Sequence, residues 1–158
     1  MVEEKENKGQ RIAKIIANSG YCSRREAERL IADGIVKVNG KIIDNPAILI
    51  TDQSIKINDK LINPKQKPKI WMFHKPKNTI VSNNDPQNRQ TIFDILPENL
   101  PMVITIGRLD INTEGLLLLT NNGAIARHIE LPQTAWSRNY RVRVFGRVNM
   151  NELKKIGK

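Results

Sequence analysis

Residues 107–123 read GRLDINTEGLLLLTNNG, and the reading of this stretch decides the fold. Just ahead of it, residues 102–106 (MVITI) are apolar and β-branched, the composition of a buried strand. Asp110 therefore falls past a strand end, on a loop carried by rigid scaffold, where binding and catalytic residues concentrate. Thr113 and Gly115 suit the turn that follows. Residues 116–119 (LLLL) supply a second buried strand or a short core segment, and Asn121-Asn122-Gly123 closes the stretch with another turn. A lone Asp in such a place can do no more than cap a turn. What raises it above that is Arg108, two residues earlier, in a chain composed for polyanions.

The composition bears this out. The chain has 158 residues, room for one domain or two small ones, and 39% of them are hydrophobic. Lys and Arg number 26 against 16 acids, a net charge of +10 that favours a phosphate-rich partner or an anionic surface. Basic residues outnumber acids in both halves, so both can touch the same polyanion. Cys22 is the single cysteine, which excludes an intrachain disulfide and a multi-cysteine zinc site; it reads as a small core hydrophobe. No apolar run reaches membrane-spanning length, and the start, MVEEKENKGQ, lacks the apolar centre of a signal peptide. A cytoplasmic protein with no membrane partner is the expectation.

Residues 1–10 read as a solvated, disordered tail. From Arg11 the pattern is helical, with Ile12, Ile15 and Ile16 on one face and Gly20 as a left-handed stop. Ser23 opens a second helix as N-cap, and Glu26 three residues on completes the pattern of a capping box. Two alternating runs then flank Asn39-Gly40, a strong hairpin signal, and a third run, residues 54–57, precedes an Asn58-Asp59 turn. NPKQKPK, residues 63–69, with two prolines and three lysines, is a semi-rigid basic linker and the domain boundary. Beyond it, residues 70–74 (IWMFH) form a strand, residues 75–78 a turn, residues 80–82 more strand and residues 83–90 a mobile polar loop. Residues 91–96 read as a short helix capped by Thr91, and residues 124–131 as a helix stopped by Pro132. Residues 136–148 (WSRNYRVRVFGRV) alternate like a strand, with four arginines, no acid, and aromatic rings on which a base can stack.

Two resemblances rest on these residues. RIAKIIANSGYCSRREAERLIADGIVKVNGKII resembles the small RNA-binding domain of the ribosomal-protein S-four type, the alpha-L motif. GRLDINTEGLLLLTNNG resembles the signature of the bacterial ribosomal-RNA pseudouridine synthases, the branch of the small-subunit enzyme and its large-subunit relatives. Together they imply an α+β chain: an S-four-like domain over residues 11–62, then the first portion of a mixed α/β catalytic domain with a central antiparallel sheet over residues 70–158. Family members usually carry Lys-Pro-x-Gly where this chain has Lys75-Pro76-Lys77-Asn78; Asn tolerates the same left-handed backbone.

The resemblance implies isomerisation of a uridine in ribosomal RNA to pseudouridine, more in keeping with the large subunit than the small, without cofactor or metal. Asp110 is the implied catalytic carboxylate. Arg108, Thr113, Gly115 and Tyr140 are the implied substrate-binding residues, with Tyr140 stacking on a flipped base. In the first domain, Arg11, Lys14, Ser23, Arg24, Arg25 and Lys37 are the implied RNA contacts, Arg by bidentate bonds and Lys as a point charge. The chain stops at NELKKIGK, so the expectation is a C-terminally truncated synthase without the later strands and the late basic partner of the Asp. It would be a monomer if complete and otherwise in need of the absent segment. An RNA-binding fragment without catalysis stays open as the alternative, as does a ribosome-assembly factor.

Overall fold

Helix α1 (Ile12–Asn18) forms where three isoleucines recur at helical spacing, and Ile12 and Ile16 lose all contact with solvent. The computed structural model describes residues 9–63, 66–143 and 145–156; most of the charged tail, Pro64 and Lys65 of the linker, and Val144 of the alternating run lie outside them. Gly20, at φ +79°, turns the chain after α1, and α2 (Arg24–Ala32) follows. Only half of the expected capping box is made. The Ser23 side chain accepts from the Glu26 backbone N–H at 3.2 Å, but the Glu26 carboxylate pairs forward with Arg29 at 3.3 Å.

The hairpin forms as its Asn-Gly turn predicts. Strands β2 (Val36–Val38) and β3 (Lys41–Ile42) pair around Asn39 and Gly40, at φ +47° and +82°. Strand β5 (Ile55–Ile57) lies on the other side of β2, and Asn58 and Asp59, both left-handed, return the chain into β6 (Lys60–Leu61). Two short strands escaped the sequence pattern: β1 (Gln10–Arg11) pairs with β4 (Leu49–Ile50), so Gln10 belongs to the fold rather than the tail. The helix pair covers one face of the four-stranded sheet, and Ile12, Ile16, Ile31, Val36 and Ile57 make a fully buried core. Each such side chain contributes about 1.5–3 kcal/mol of transfer energy.

The second unit centres on a three-stranded antiparallel sheet in the order β7-β9-β8: β7 (Ile70–Lys75), β9 (Gly115–Thr120) and β8 (Ile104–Ile106). Trp71 and Phe73 of β7 and Leu117 and Leu119 of β9 point to one face and pack with Ile92 and Val103. Helix α3 (Gly123–Glu130), capped by the Asn122 side chain on the Ala124 and Ile125 N–H groups, packs on β8 and β9. It leaves Met72 and Leu116 on the sheet exposed.

Two expectations fail in this half, and a third, the short helix capped by Thr91, holds only in part. Residues 80–82 make no strand; Ile80 forms a single parallel bridge with Thr91. Residues 91–96 give one 3-10 turn, Ile92–Asp94, whose Asp94 carboxylate accepts from the Thr91 N–H at 2.7 Å. The described residues of the alternating run 136–148 form no strand, because no described strand pairs with them and a strand exists only through its ladder. A second 3-10 turn, Pro132–Thr134, and helix α4 (Met150–Ile156) flank that run; α4 was not foreseen.

Candidate active site and RNA-binding surface

The loop between β8 and β9 is built to hold its backbone still. Gly107, at φ +74°, leads out of β8, and its N–H donates to the Glu130 carboxylate of α3 at 2.7 Å. Leu109 anchors the loop by packing on the second core, which turns Arg108 and Asp110 on either side of it toward solvent. The Asp110 carbonyl accepts from the Thr113 N–H at 3.0 Å, closing a turn.

Behind that turn sits Lys75, the last residue of β7. Sequence reasoning gave it to a turn, yet it has no exposed surface. Its Nζ donates to three carbonyls, Thr113 at 2.8 Å, Pro76 at 3.0 Å and Ile111 at 3.3 Å. Those three bonds match the donor capacity of an ammonium and satisfy a buried charge. Burial pulls the Lys75 pKa below its ordinary value, and the negative charge of Asp110 opposes the shift. The signal was present in the strand period: Trp71 and Phe73 point inward, and two residues on, Lys75 must too. Opposite it on β9 stands Gly115, whose φ of +129° is open only to glycine. Asn78, left-handed at φ +62° as expected, donates its N–H to Ile111 O at 2.8 Å and pins the loop a second time.

Arg108, Leu109, Asp110 and Ile111 line one side of an open cleft of about 460 Å³, and Ile80 and Val81 line the other. Asp110 has no ion-pair partner within 4 Å among the described residues, so its carboxylate is free to meet a ligand. Of the residues singled out in sequence, Arg108 and Asp110 share this cleft, and Thr113 and Gly115 shape the loop beneath it. Tyr140 does not line it; that ring is 64% exposed on the unpaired run.

In the first domain Arg11, Lys14 and Arg24 line a common groove with Glu28 and Pro46. Ser23 is occupied as the cap of α2, and Arg25 stands exposed beside it. Lys37 lies apart: its neighbours Val36 and Ile57 face the helix-packed core, so Lys37 projects from the opposite face and pairs with Asp59 at 2.6 Å. That pair holds the Asp59 carboxyl below its usual pKa. Cys22 is half-buried against the first core, and burial together with Glu26 raises its pKa, the behaviour of an inert thiol. No cluster of three or more metal-ligating side chains occurs among the described residues, and no helix among them is long and apolar enough to cross a membrane.

Comparison with known proteins agrees with this division. The S4 domain family matches residues 10–53, and the RNA pseudouridylate synthase family matches residues 69–158, more than half of the chain. A Rickettsia felis protein named as an RNA pseudouridine synthase is 50% identical over 139 residues, covering 87% of this chain and 60% of the relative. A Yersinia pestis protein named ribosomal large subunit pseudouridine synthase B is 33% identical over 157 residues, covering 95% and 49%. A solved structure titled as a pseudouridylate synthase is 29% identical, with a TM-score of 0.43 over 78% of this chain and 54% of that one. The chain thus spans about 60% or less of the length of these relatives. With an S4 domain ahead of a clefted, antiparallel second unit, the chain belongs to the RNA pseudouridylate synthase family.

Proposed function

We propose that this chain carries the RNA-gripping and carboxylate-bearing parts of a synthase that converts a uridine of large-subunit ribosomal RNA to pseudouridine. The observation that carries this reading is Asp110, an unpaired carboxylate in a cleft, on a loop whose backbone Lys75 and Asn78 pin from behind. The subunit preference rests on the Yersinia relative, whose name specifies the large subunit. In the reaction the bond from ribose C1′ to base N1 breaks, the uracil turns, and C1′ joins C5, which gives up its proton while N1 gains one. Nothing is oxidised or gained, so one carboxylate acting on sugar or base suffices. A uridine inside folded RNA is reached only by flipping it out of its stack. In this reading Arg108 holds the adjacent backbone, Thr113 and Gly115 set the loop, and Tyr140 stacks on the flipped base once residues 136–148 gain a strand partner. Arg11, Lys14, Arg24 and Arg25 grip phosphates, and such contacts position without choosing sequence. The setting is the cytoplasm, where ribosomal RNA is made and modified in bacteria.

A second reading has support of its own. The described residues of the Tyr140 run pair with no described strand, while Arg11, Lys14 and Arg24 of the first domain share one groove, a pattern that suits RNA binding without turnover. Pseudouridine formation in unmodified large-subunit RNA, with wild type and Asp110→Asn, separates the two. Product from wild type only supports the synthase. No product from either, with RNA binding intact and weakened by salt, supports the fragment.

A further inference from the structure

Between the bridge residues Ile80 and Thr91 the chain throws out a loop whose composition is unusual. Residues 83–90 (NNDPQNRQ) contain five side-chain amides: Asn83, Asn84, Gln87, Asn88 and Gln90. All five are exposed, and none of the five side chains makes a hydrogen bond among the described residues. That is not how a polar turn ordinarily spends Asn, whose side chain bonds its own backbone. Here other residues do that work. Ser82 bonds the Asn84 carbonyl at 2.6 Å. Asp85, its side chain only 5% exposed, accepts from Arg89 Nε at 3.1 Å, Arg89 Nη2 at 2.7 Å and the Arg89 backbone N–H at 2.9 Å.

The loop, expected to be mobile, is therefore clasped at its waist by a bidentate pair. It is also clasped at its base, where Ile80 N–H bonds Gln90 O at 3.0 Å and Ile92 N–H bonds Ile80 O at 2.9 Å, with Ile92 fully buried. Its stem, Ile80 and Val81, is one wall of the cleft that holds Arg108 and Asp110. The one acid in the loop is neutralised by Arg89, so nothing in it repels phosphate.

We infer that residues 83–90 are the base-reading loop of the enzyme: their free amides contact the edges of unpaired nucleotides next to the uridine held at Asp110. This rests on the synthase reading and adds what selects the target. An amide offers a donor and an acceptor side by side, the pattern that distinguishes one base edge from another. Cations on phosphate cannot do so. Unpaired RNA displays those edges, and a reader held rigid loses little freedom on binding.

The test uses the full 158-residue chain and a pool of RNA stem-loops with one fixed uridine and randomised flanking loop positions. Bound RNAs are sequenced for wild type, for the triple variant Asn83→Ala, Asn84→Ala, Gln87→Ala, and for Asp85→Asn. Wild type should enrich particular bases beside the uridine by about fivefold or more, the discrimination of a single good edge contact. The triple variant should flatten that enrichment while overall affinity stays within about threefold, since the grip on phosphates is elsewhere. Asp85→Asn, which keeps every amide but loosens the clasp, should blur the preference to an intermediate level. Because the three substituted amides are exposed and unbonded, an unchanged thermal melt checks that the fold is intact. Enrichment that survives the triple variant, or a flat wild-type profile from a pool that does bind, would overturn the inference and leave the synthase reading standing. Failure of wild type to bind the pool at all would overturn that reading and the inference with it.

Discussion

A single ammonium holds the turn that presents Asp110. Lys75→Met keeps the stem and removes the charge, leaving the carbonyls of Pro76, Ile111 and Thr113 without their donor. Denaturant unfolding should show a loss of about 3 kcal/mol, and, on the synthase reading, pseudouridine formation should fall together with it. A variant as stable as wild type would mean the three bonds hold nothing in place. On the same reading Asp110→Asn should behave oppositely, with stability and RNA affinity unchanged and turnover gone. At Asp85 the prediction concerns pH. The Arg89 side-chain hydrogen bonds, with the backbone bond beside them, hold its carboxyl at about 2, against an ordinary 3.8. A depressed carboxylate stabilises the fold above its unfolded pKa, and that contribution is lost as pH falls from near 3.8 toward about 2. Amide exchange at Ile80 and Ile92 should therefore accelerate over that window in wild type more than in Asp85→Asn; equal profiles would mean that the clasp does not hold the loop base.

Elements were legible wherever local chemistry alone decides them. Helices α1 and α2, the Asn39-Gly40 hairpin and the strands either side of the Asp110 loop follow from period and turn residues. Ser23 is the clearest case, and Ser23→Ala should cost about 1 kcal/mol by denaturant titration; no measurable loss would show that the 3.2 Å cap bond contributes little. The misreadings share a cause, which is that pairing is not local. Strands β1 and β4 are two residues each and visible only through their register. Residues 136–148 have the right alternation, and those of them that are described have no strand partner. Lys75 was missed for another reason: a lysine before a proline looks like a turn, and only its parity with Trp71 and Phe73 places it inside. The site was legible as a list of residue types. That Arg108 and Asp110 share a cleft while Lys37 faces away from the helix pair required the fold.

At the scale of the whole molecule the two units are stitched together by the linker. Gln66 Nε2 donates to Ser19 O of the first domain at 2.9 Å, and Gln66 Oε1 accepts from Asn121 of the second at 3.3 Å. Gly20 leaves room for this, since a Cβ there would meet Gln66 Nε2 at 2.5 Å. Asn121 also accepts from the Lys69 N–H at 2.8 Å and donates to Lys67 O at 3.0 Å, so it organises the segment that sequence read as a spacer. Asn121→Ala should speed tryptic cleavage after Lys69, whose N–H it holds, about tenfold, the effect of losing about 1.4 kcal/mol of local hydrogen bonding. An unchanged rate would mean that the linker opens freely in wild type.

The β7–β9 ladder has one more consequence, for the order of events during synthesis. Its register joins Lys75 to Gly115 and Ile70 to Thr120, with the whole Asp85 loop and β8 threaded between. The first domain closes mostly over short spans and can form as it leaves the ribosome. Strand β7, carrying Ile70, Trp71, Met72 and Phe73, must then wait in water until β9 has emerged. Nascent chains stalled between those two points should lean on holding chaperones, and those stalled beyond Thr120 should not.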